Sequence, residues 1–341
     1  MKKRYVRGNL FLLLGCLLLF VSFISVMNSR KSLLRNRIVT TSNNNNNNDL
    51  AAKQSFGFFN DIPDSAWAML REISTSRQRH VIPSEPAVYF AGDRKITLKE
   101  NERVPQAWFQ SHYEPDFSCM FRKRVGGNGI GDGPKWVCDP HRIVDLAKER
   151  KKMNPDKPGC LIYSIGSCGD FTFEVSMLKL LGNDLCEVHT FDIDDYESKV
   201  PKDLNIHFHH WGIDSKAWTD EKNKHVFKTI AETMKELGHL DREMIDVFKI
   251  DCEGCEYDVF SDLLLASHPM LQQMFVEVHQ NTHEKMTSFF DAILDAGYVM
   301  FSKEHNIQYP KMSISEYSFL KLSKDFRDVD AVDKGHFQAY K

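Results

Sequence analysis

The stretch Cys160-Leu-Ile-Tyr-Ser164-Ile165-Gly166-Ser167-Cys168-Gly169-Asp170 decides the fold. A short apolar run of strand length is cut off by two glycines. Apolar spacing then predicts a helix over 171–181, stopped by Gly182. Glu187-Val-His-Thr-Phe191 reads as the next strand and closes on Asp192. The alternation continues on both sides. Further strands are predicted at 206–211, 244–250 and 274–278, with helices at 143–152, 224–238, 257–265 and 284–296. Strands alternating with helices build βαβ units, so the expected fold class is α/β with a mostly parallel sheet and helices on both faces. Ligands of such sheets bind off the carboxyl ends of the strands.

Chemistry gathers at those ends. Gly166 and Gly169 let the backbone approach a ligand, and the helix start behind them offers free N–H groups. Turns of this kind are also common without a ligand, so Asp192 adds the weight. An acid at the end of the second strand can accept both hydroxyls of a ribose. The loop has no third glycine, which a pyrophosphate would require. The expected cofactor is therefore S-adenosylmethionine rather than NAD. Ser164, Ser167 and Asp170 complete the loop's candidate contacts, and Phe191 and Ile193 are candidates to meet the adenine.

Lys249-Ile250-Asp251-Cys252-Glu253-Gly254-Cys255-Glu256-Tyr257 places three carboxylates at another strand end. Buried acids are costly unless paired. A helix start would account for Glu253 and Glu256 through its dipole, but less easily for Asp251. Asp251 or Glu253 is expected near the methionine end of the cofactor. In Val276-Glu277-Val278-His279, strand alternation puts Glu277 and His279 on one face. A carboxylate and an imidazole there can take the proton of a hydroxyl. Asp251, Glu253, Glu277 and His279 are the candidate catalytic residues.

The N-terminus sets the expected compartment. Residues 10–27, LFLLLGCLLLFVSFISVM, carry no charge and are just long enough to span a bilayer. Arg30, Lys31, Arg35 and Arg37 follow where a cleavable signal would have small residues. The expected organisation is a cytosolic tail (1–9), a signal anchor (10–27), a stem (28–100) and a folded domain (101–341). The stem contains six consecutive asparagines, which cannot bury a core, and a short helix over 61–79 that Asp64 can cap. The first 37 residues hold eight basic groups and no acid. The rest carries 36 basic against 47 acidic groups, a net −11. An acidic folded part excludes a nucleic-acid footprint. The domain is expected in the lumen of the endoplasmic reticulum or Golgi, or outside the cell if the anchor is cleaved. Seven cysteines lie beyond the anchor, an odd number, so at least one stays unpaired within the chain. Cys119 and Cys138 bracket a glycine-rich loop and form the expected bridge. Cys252 and Cys255 have redox spacing, but no second such pair exists to bind zinc.

Together, Tyr163-Ser-Ile-Gly166-Ser-Cys-Gly169-Asp170, Phe191-Asp192, Phe248-Lys-Ile-Asp251-Cys-Glu253-Gly254-Cys-Glu256 and Val276-Glu-Val-His279 resemble the FkbM-related methyltransferases. More narrowly, they resemble the methyltransferase-like proteins that carry an N-terminal anchor. Arg124-Val-Gly-Gly127, Gly131-Asp-Gly133 and Lys135-Trp-Val-Cys138-Asp139-Pro140 match the segment before the core in that group. The resemblance spans about residues 105–310. It implies a Rossmann-like class I methyltransferase fold, S-adenosylmethionine as cofactor and O-methylation of a sugar or small-molecule acceptor. Ser164 departs from the pattern, because many methyltransferases have an acid there to hold the methionine ammonium; Asp170 is the expected substitute. Three rivals stand beside this reading. Asp192-Ile193-Asp194 can hold a divalent metal for a luminal glycosyltransferase. His207, His209 and His210 can ligate a metal, although isolated alternating histidines usually face solvent, and no metal is assigned. The fold can also serve as a binding scaffold without activity.

Overall fold

The computed structural model describes residues 49–78, 87–91, 94–98, 112–127, 133–265, 269–308 and 313–327. The expected tail, anchor and asparagine tract lie outside these residues. Among the described residues, no helix is long and apolar enough to cross a membrane.

In chain order the first elements are helices α1 (Asp49–Gln54) and α2 (Asp64–Gln78), then hairpins β1 (Ala87–Ala91) with β2 (Arg94–Leu98) and β3 (Arg122–Val125) with β4 (Lys135–Cys138). The body follows as α3 (Pro140–Met153), β5 (Cys160–Ile165), α4 (Thr172–Leu181), β6 (Cys186–Phe191) and β7 (Ile206–His209). Short strands β8 (Gly212–Ile213), β9 (Trp218–Thr219) and β10 (Val226–Lys228) form a small side sheet. Then come α5 (Ile230–Glu236), β11 (Met244–Ile250), α6 (Glu256–Leu265), β12 (Met270–His279), α7 (His283–Asp295), β13 (Tyr298–His305) and β14 (Ile314–Lys321).

Seven strands form the main sheet in the order β13-β14-β12-β11-β5-β6-β7. Only β14 runs against its neighbours. The winding reverses between β5 and β11, and a doubly wound sheet opens its ligand crevice at such a switch point. The strands are buried on both sides, which is why they read as continuous apolar runs. Leu161, Tyr163 and Ile165 pack on one face with residues of α5, α6 and α7. Cys160 and Ile162 pack on the other with residues of α3 and α4. Strands β5 and β11 have the expected bounds.

Two expectations change. The helix expected over 224–238 starts only at Ile230, because Thr229 accepts from the Glu232 N–H and Glu232 returns the bond, a capping box. The residues before it form β10 instead. The folded unit begins at Asp49 rather than near 100. Trp67 is fully buried and donates from Nε1 to Gln54 Oε1 at 2.7 Å, and Arg71 reaches Phe326 O at 2.7 Å. The asparagine tract hides this boundary, since it reads as the start of a long polar stem.

Bridges join Cys119 to Cys138 as expected, Cys160 to Cys186 between paired strands, and Cys252 to Cys255. Cys168 is left free and exposed. Each bridge adds roughly 2–4 kcal/mol by constraining the unfolded chain.

Candidate active site

The glycine loop is held from two sides. Below it, Asp192 Oδ2 accepts from Ser167 N (2.9 Å), Ser167 Oγ (3.2 Å) and Cys168 N (2.8 Å), and Oδ1 accepts from Asp194 N at 3.2 Å. Across it, Lys249 Nζ donates to the carbonyl of Gly166. An anion thus faces the loop's N–H groups and a cation its carbonyl. Gly166 is required by position: its φ is +75°, and a Cβ there would lie 1.7 Å from the Asp251 carbonyl oxygen. Gly166 N donates to Phe191 O, and Asp251 N to Ile165 O. The ends of β5, β6 and β11 are thereby locked together.

These contacts redistribute the expected roles. The carboxylate of Asp192 is engaged with the loop through Oδ2, which leaves only Oδ1, with one backbone donor, for any ligand of the expected Asp192–Asp194 metal reading. Phe191 is fully buried against Tyr163, Trp211 and His209, so it belongs to the core. Ile193 is half-buried beside Gly212 and remains at the crevice wall. Asp170 is exposed and accepts from Thr172 N at 2.8 Å, securing the start of α4. It therefore does not stand in for the acid missing at Ser164. The acid beside Ser164 is Glu174, in the first turn of α4. Ser164 Oγ donates to Glu174 Oε1 at 2.5 Å, and both residues are buried. Burial pushes the Glu174 carboxyl above its ordinary range, against the pull of Lys249.

The second half of the site lies at the ends of β11, β12 and β14. Glu277 and Glu316 are cross-strand partners, and the carboxyls of Asp251, Glu277 and Glu316 gather within 4.8 Å. Like charges this close are costly. Lys135, delivered by the β3–β4 hairpin and fully buried, answers them. Its Nζ bonds Glu316 and lies 3.4 Å from Asp251 Oδ2. Burial lowers the Lys135 pKa, but Glu316, Asp251 and Glu277 outweigh it and hold the ammonium well above its usual range. Burial likewise raises Asp251, yet Lys135 and Lys249 prevail and keep it well below the usual carboxylate range. Burial and the neighbouring Asp251 push Glu277 up to about 10. Burial, opposed by Lys135, pushes Glu316 up to about 7. Burial and the crowded carboxylates favour the protonated form of Glu277, which works against its expected role as a base.

His279 ends β12 on the same face, as alternation predicts. Its Nδ1 lies 3.2 Å from Oε1 of Glu256, which is fully buried, and Glu256 also accepts from His279 N at 3.0 Å. Nε2 points the other way, 3.1 Å from the exposed Glu253. Burial lowers the imidazole pKa, but Glu256, Glu253 and Asp251 outweigh it and raise the net value above the ordinary range. Glu253 sits at φ +57° in the turn closed by the Cys252–Cys255 bridge. The groups Glu253, Glu277 and His279 also lie close enough to hold a metal ion.

Sequence reasoning gave no role to Lys135, Glu174 and Glu316, and read Glu256 only as an acid at a helix start. Two signals were present: Lys249 and Asp246 interrupt an otherwise buried strand, and a buried charge demands a partner. The three histidines each have a different partner. His207 bonds Asn205, His209 bonds His189 and His210 bonds the Ile193 carbonyl.

No relative was found among the curated proteins compared. Among solved structures, the chain is similar to the methyltransferase FkbM from Methylobacillus flagellatus KT (11% identity, 53% of this chain and 50% of that one, TM-score 0.35). It is similar to the fibrillarin pre-rRNA processing protein of Methanococcus jannaschii (11%, 70% and 99%, 0.34). A third is the 1,6-didemethyltoxoflavin-N1-methyltransferase of Burkholderia thailandensis (10%, 61% and 99%, 0.31). The family model described as Methyltransferase domain matches residues 49–321, most of the chain, and the chain therefore belongs to that family, with S-adenosylmethionine as its cofactor.

Proposed function

We propose that this chain methylates a hydroxyl of a sugar or other small acceptor in the secretory pathway, held to the membrane by residues 10–27. One observation carries the chemistry. His279 is pinned through Nδ1 by the buried carboxylate of Glu256, and its buried Nε2 lies 3.1 Å behind the exposed Glu253, so an acceptor that displaces Glu253 would meet an oriented general base. The three disulfides support an oxidising compartment.

The residues at hand fit the cofactor. The crevice at the β5–β11 switch point is rimmed by Asp251 and Glu253, which suit a cationic sulfonium. Glu174 Oε2 is buried without a partner among the described residues, at the loop where an ammonium would seat. Gly166, Ser167 and Gly169 would line its path. Asp192 Oδ1, with one backbone donor, has capacity left for a ribose hydroxyl. When bound, the cofactor supplies a methyl group already activated on sulfur, so the protein's work is positioning and proton removal. His279 Nε2 takes the hydroxyl proton, Glu256 holds the imidazolium that results, and Glu277 stays a neutral hydrogen-bond donor to Asp251.

The test is titration of the purified full chain with S-adenosylmethionine, S-adenosylhomocysteine, UDP-sugar with manganese, and NAD. Transfer of labelled methyl to secretory glycans is measured alongside. Micromolar binding of the first two alone is expected. His279→Asn should keep that binding while slowing transfer by about 10²–10⁴-fold. Binding of UDP-sugar instead would overturn the methyl-transfer reading in favour of a glycosyltransferase, and silence from all four with a folded protein would overturn it in favour of a scaffold.

A further inference from the structure

The amino-terminal half of β6 carries a second constellation, remote from the crevice. Glu187 and His189 alternate on one face of β6, and His239, from the connection between α5 and β11, meets them there. His189 Nε2 lies 3.6 Å from Glu187 Oε2, and His239 Nε2 lies 3.8 Å from Glu187 Oε1. The three donor atoms all fall within 4.8 Å of one another. Neither imidazole distance is a hydrogen bond. His189 is 6% exposed, and its Nε2 is buried with no hydrogen-bond partner. A buried polar atom left open in this way needs an explanation.

Both rings are already oriented through their other nitrogen. His189 Nδ1 bonds His209 Nε2 at 2.8 Å, and His239 Nδ1 bonds the Tyr163 hydroxyl at 2.8 Å. Metal-bound histidines are held in the same way. We infer that Glu187, His189 and His239 form a zinc-class cation site that clamps the α5–β11 connection onto β6. Two imidazoles and one carboxylate are the donor set that zinc favours. His189 faces Oε2 of Glu187 at 3.6 Å and His239 faces Oε1 at 3.8 Å, so the carboxylate lies between the two rings, and a small closure would give the edge of roughly 3.3 Å that goes with bonds of roughly 2.0–2.1 Å. Arg242 is the competing cation, 2.9 Å from Glu187 Oε1, and it leaves Oε2 on the side of His189. Glu187 stands five residues before Asp192, about 16 Å along the strand, so the ion is structural and not part of methyl transfer.

The test uses the full chain in detergent, without an oligohistidine tag, stripped by chelator and reloaded with zinc, with cobalt as an optical probe. About one equivalent of zinc should survive gel filtration, and reloading should raise the melting temperature. Glu187→Gln, which keeps the shape and a contact for Arg242, and His239→Gln should each weaken zinc binding at least about tenfold and abolish the melting shift. His279→Asn should leave both intact. Failure of the folded wild type to bind zinc would overturn the site. So would unchanged affinity in both variants, or loss of zinc in His279→Asn instead. None of these outcomes bears on methyl transfer.

Discussion

Replacing Glu277 by glutamine should stabilise the protein, and increasingly so as pH rises. Glu277 is 3% exposed, and burial with Asp251 pushes its carboxyl from 4.5 up to about 10. The unfolded chain releases this proton near pH 4.5, while the folded chain retains it. Folding therefore takes up a proton across the whole interval, and stability falls by about 1.4 kcal/mol per pH unit between those values. Below pH 4.5 both states are protonated and the effect vanishes. At pH 7 the accumulated cost is about 3 kcal/mol, taken as an order of magnitude. Glutamine removes it. Its amide can donate to Asp251 as the protonated carboxyl does, and its oxygen can accept from Asn306 Nδ2, which now reaches Glu277 Oε1 at 3.3 Å. Thermal melting at pH 5 to 8.5 with disulfides intact reads this directly. At about 2–4 °C per kcal/mol, the variant should melt about 6–12 °C above wild type at pH 7 and nearly level with it at pH 5. Cofactor affinity should not change. A variant that melts below wild type by the same margin at every pH would refute the reasoning. Glu277 would then be ionised, paired with Lys135, and again a candidate base.

Four further outcomes follow from the same geometry. Because the charged neighbours raise the His279 pKa, transfer should rise with pH through a midpoint above the roughly 6.5 of a free imidazole, and Glu256→Gln should move that midpoint down; a midpoint that ignores Glu256 counts against His279 as the base. Asp192→Ala should weaken S-adenosylmethionine binding by about 1–3 kcal/mol, because the loop's N–H groups lose their acceptor; unchanged affinity in calorimetry sinks that assignment. Gly166→Ala should eliminate cofactor binding, since its Cβ collides with the Asp251 carbonyl at a φ that alanine disfavours; wild-type binding by the variant would show that the loop can move. Lys135→Met should lower stability by about 3–5 kcal/mol at pH 8, measured by urea unfolding, and by less at acid pH where Glu316 is protonated.

What could be read in the sequence is what repeats along the chain. The β5-loop-α4-β6 segment declared the fold because strand alternation and helical spacing are local, and Gly166 and Asp192 declared the crevice because loop chemistry is punctuated by glycine and acid. The partners of those residues are not local. Lys135 lies more than a hundred residues before Asp251 and arrives on a hairpin outside the α/β alternation. Glu316 arrives on the one reversed strand, brought opposite Glu277 only by sheet register. Glu174 stands where any first-turn helical acid could, and only the packing of α4 on β5 shows that it is buried beside Ser164. The charge on a residue was legible, but whether it keeps its proton was not, because that depends on how many like charges the sheet gathers and which cation reaches them. Glu277 is the case in point. Its spacing from His279 puts both on one face of the strand, and it is the company of Asp251, Glu316 and Lys135, gathered from three other elements, that decides how readily it gives up its proton.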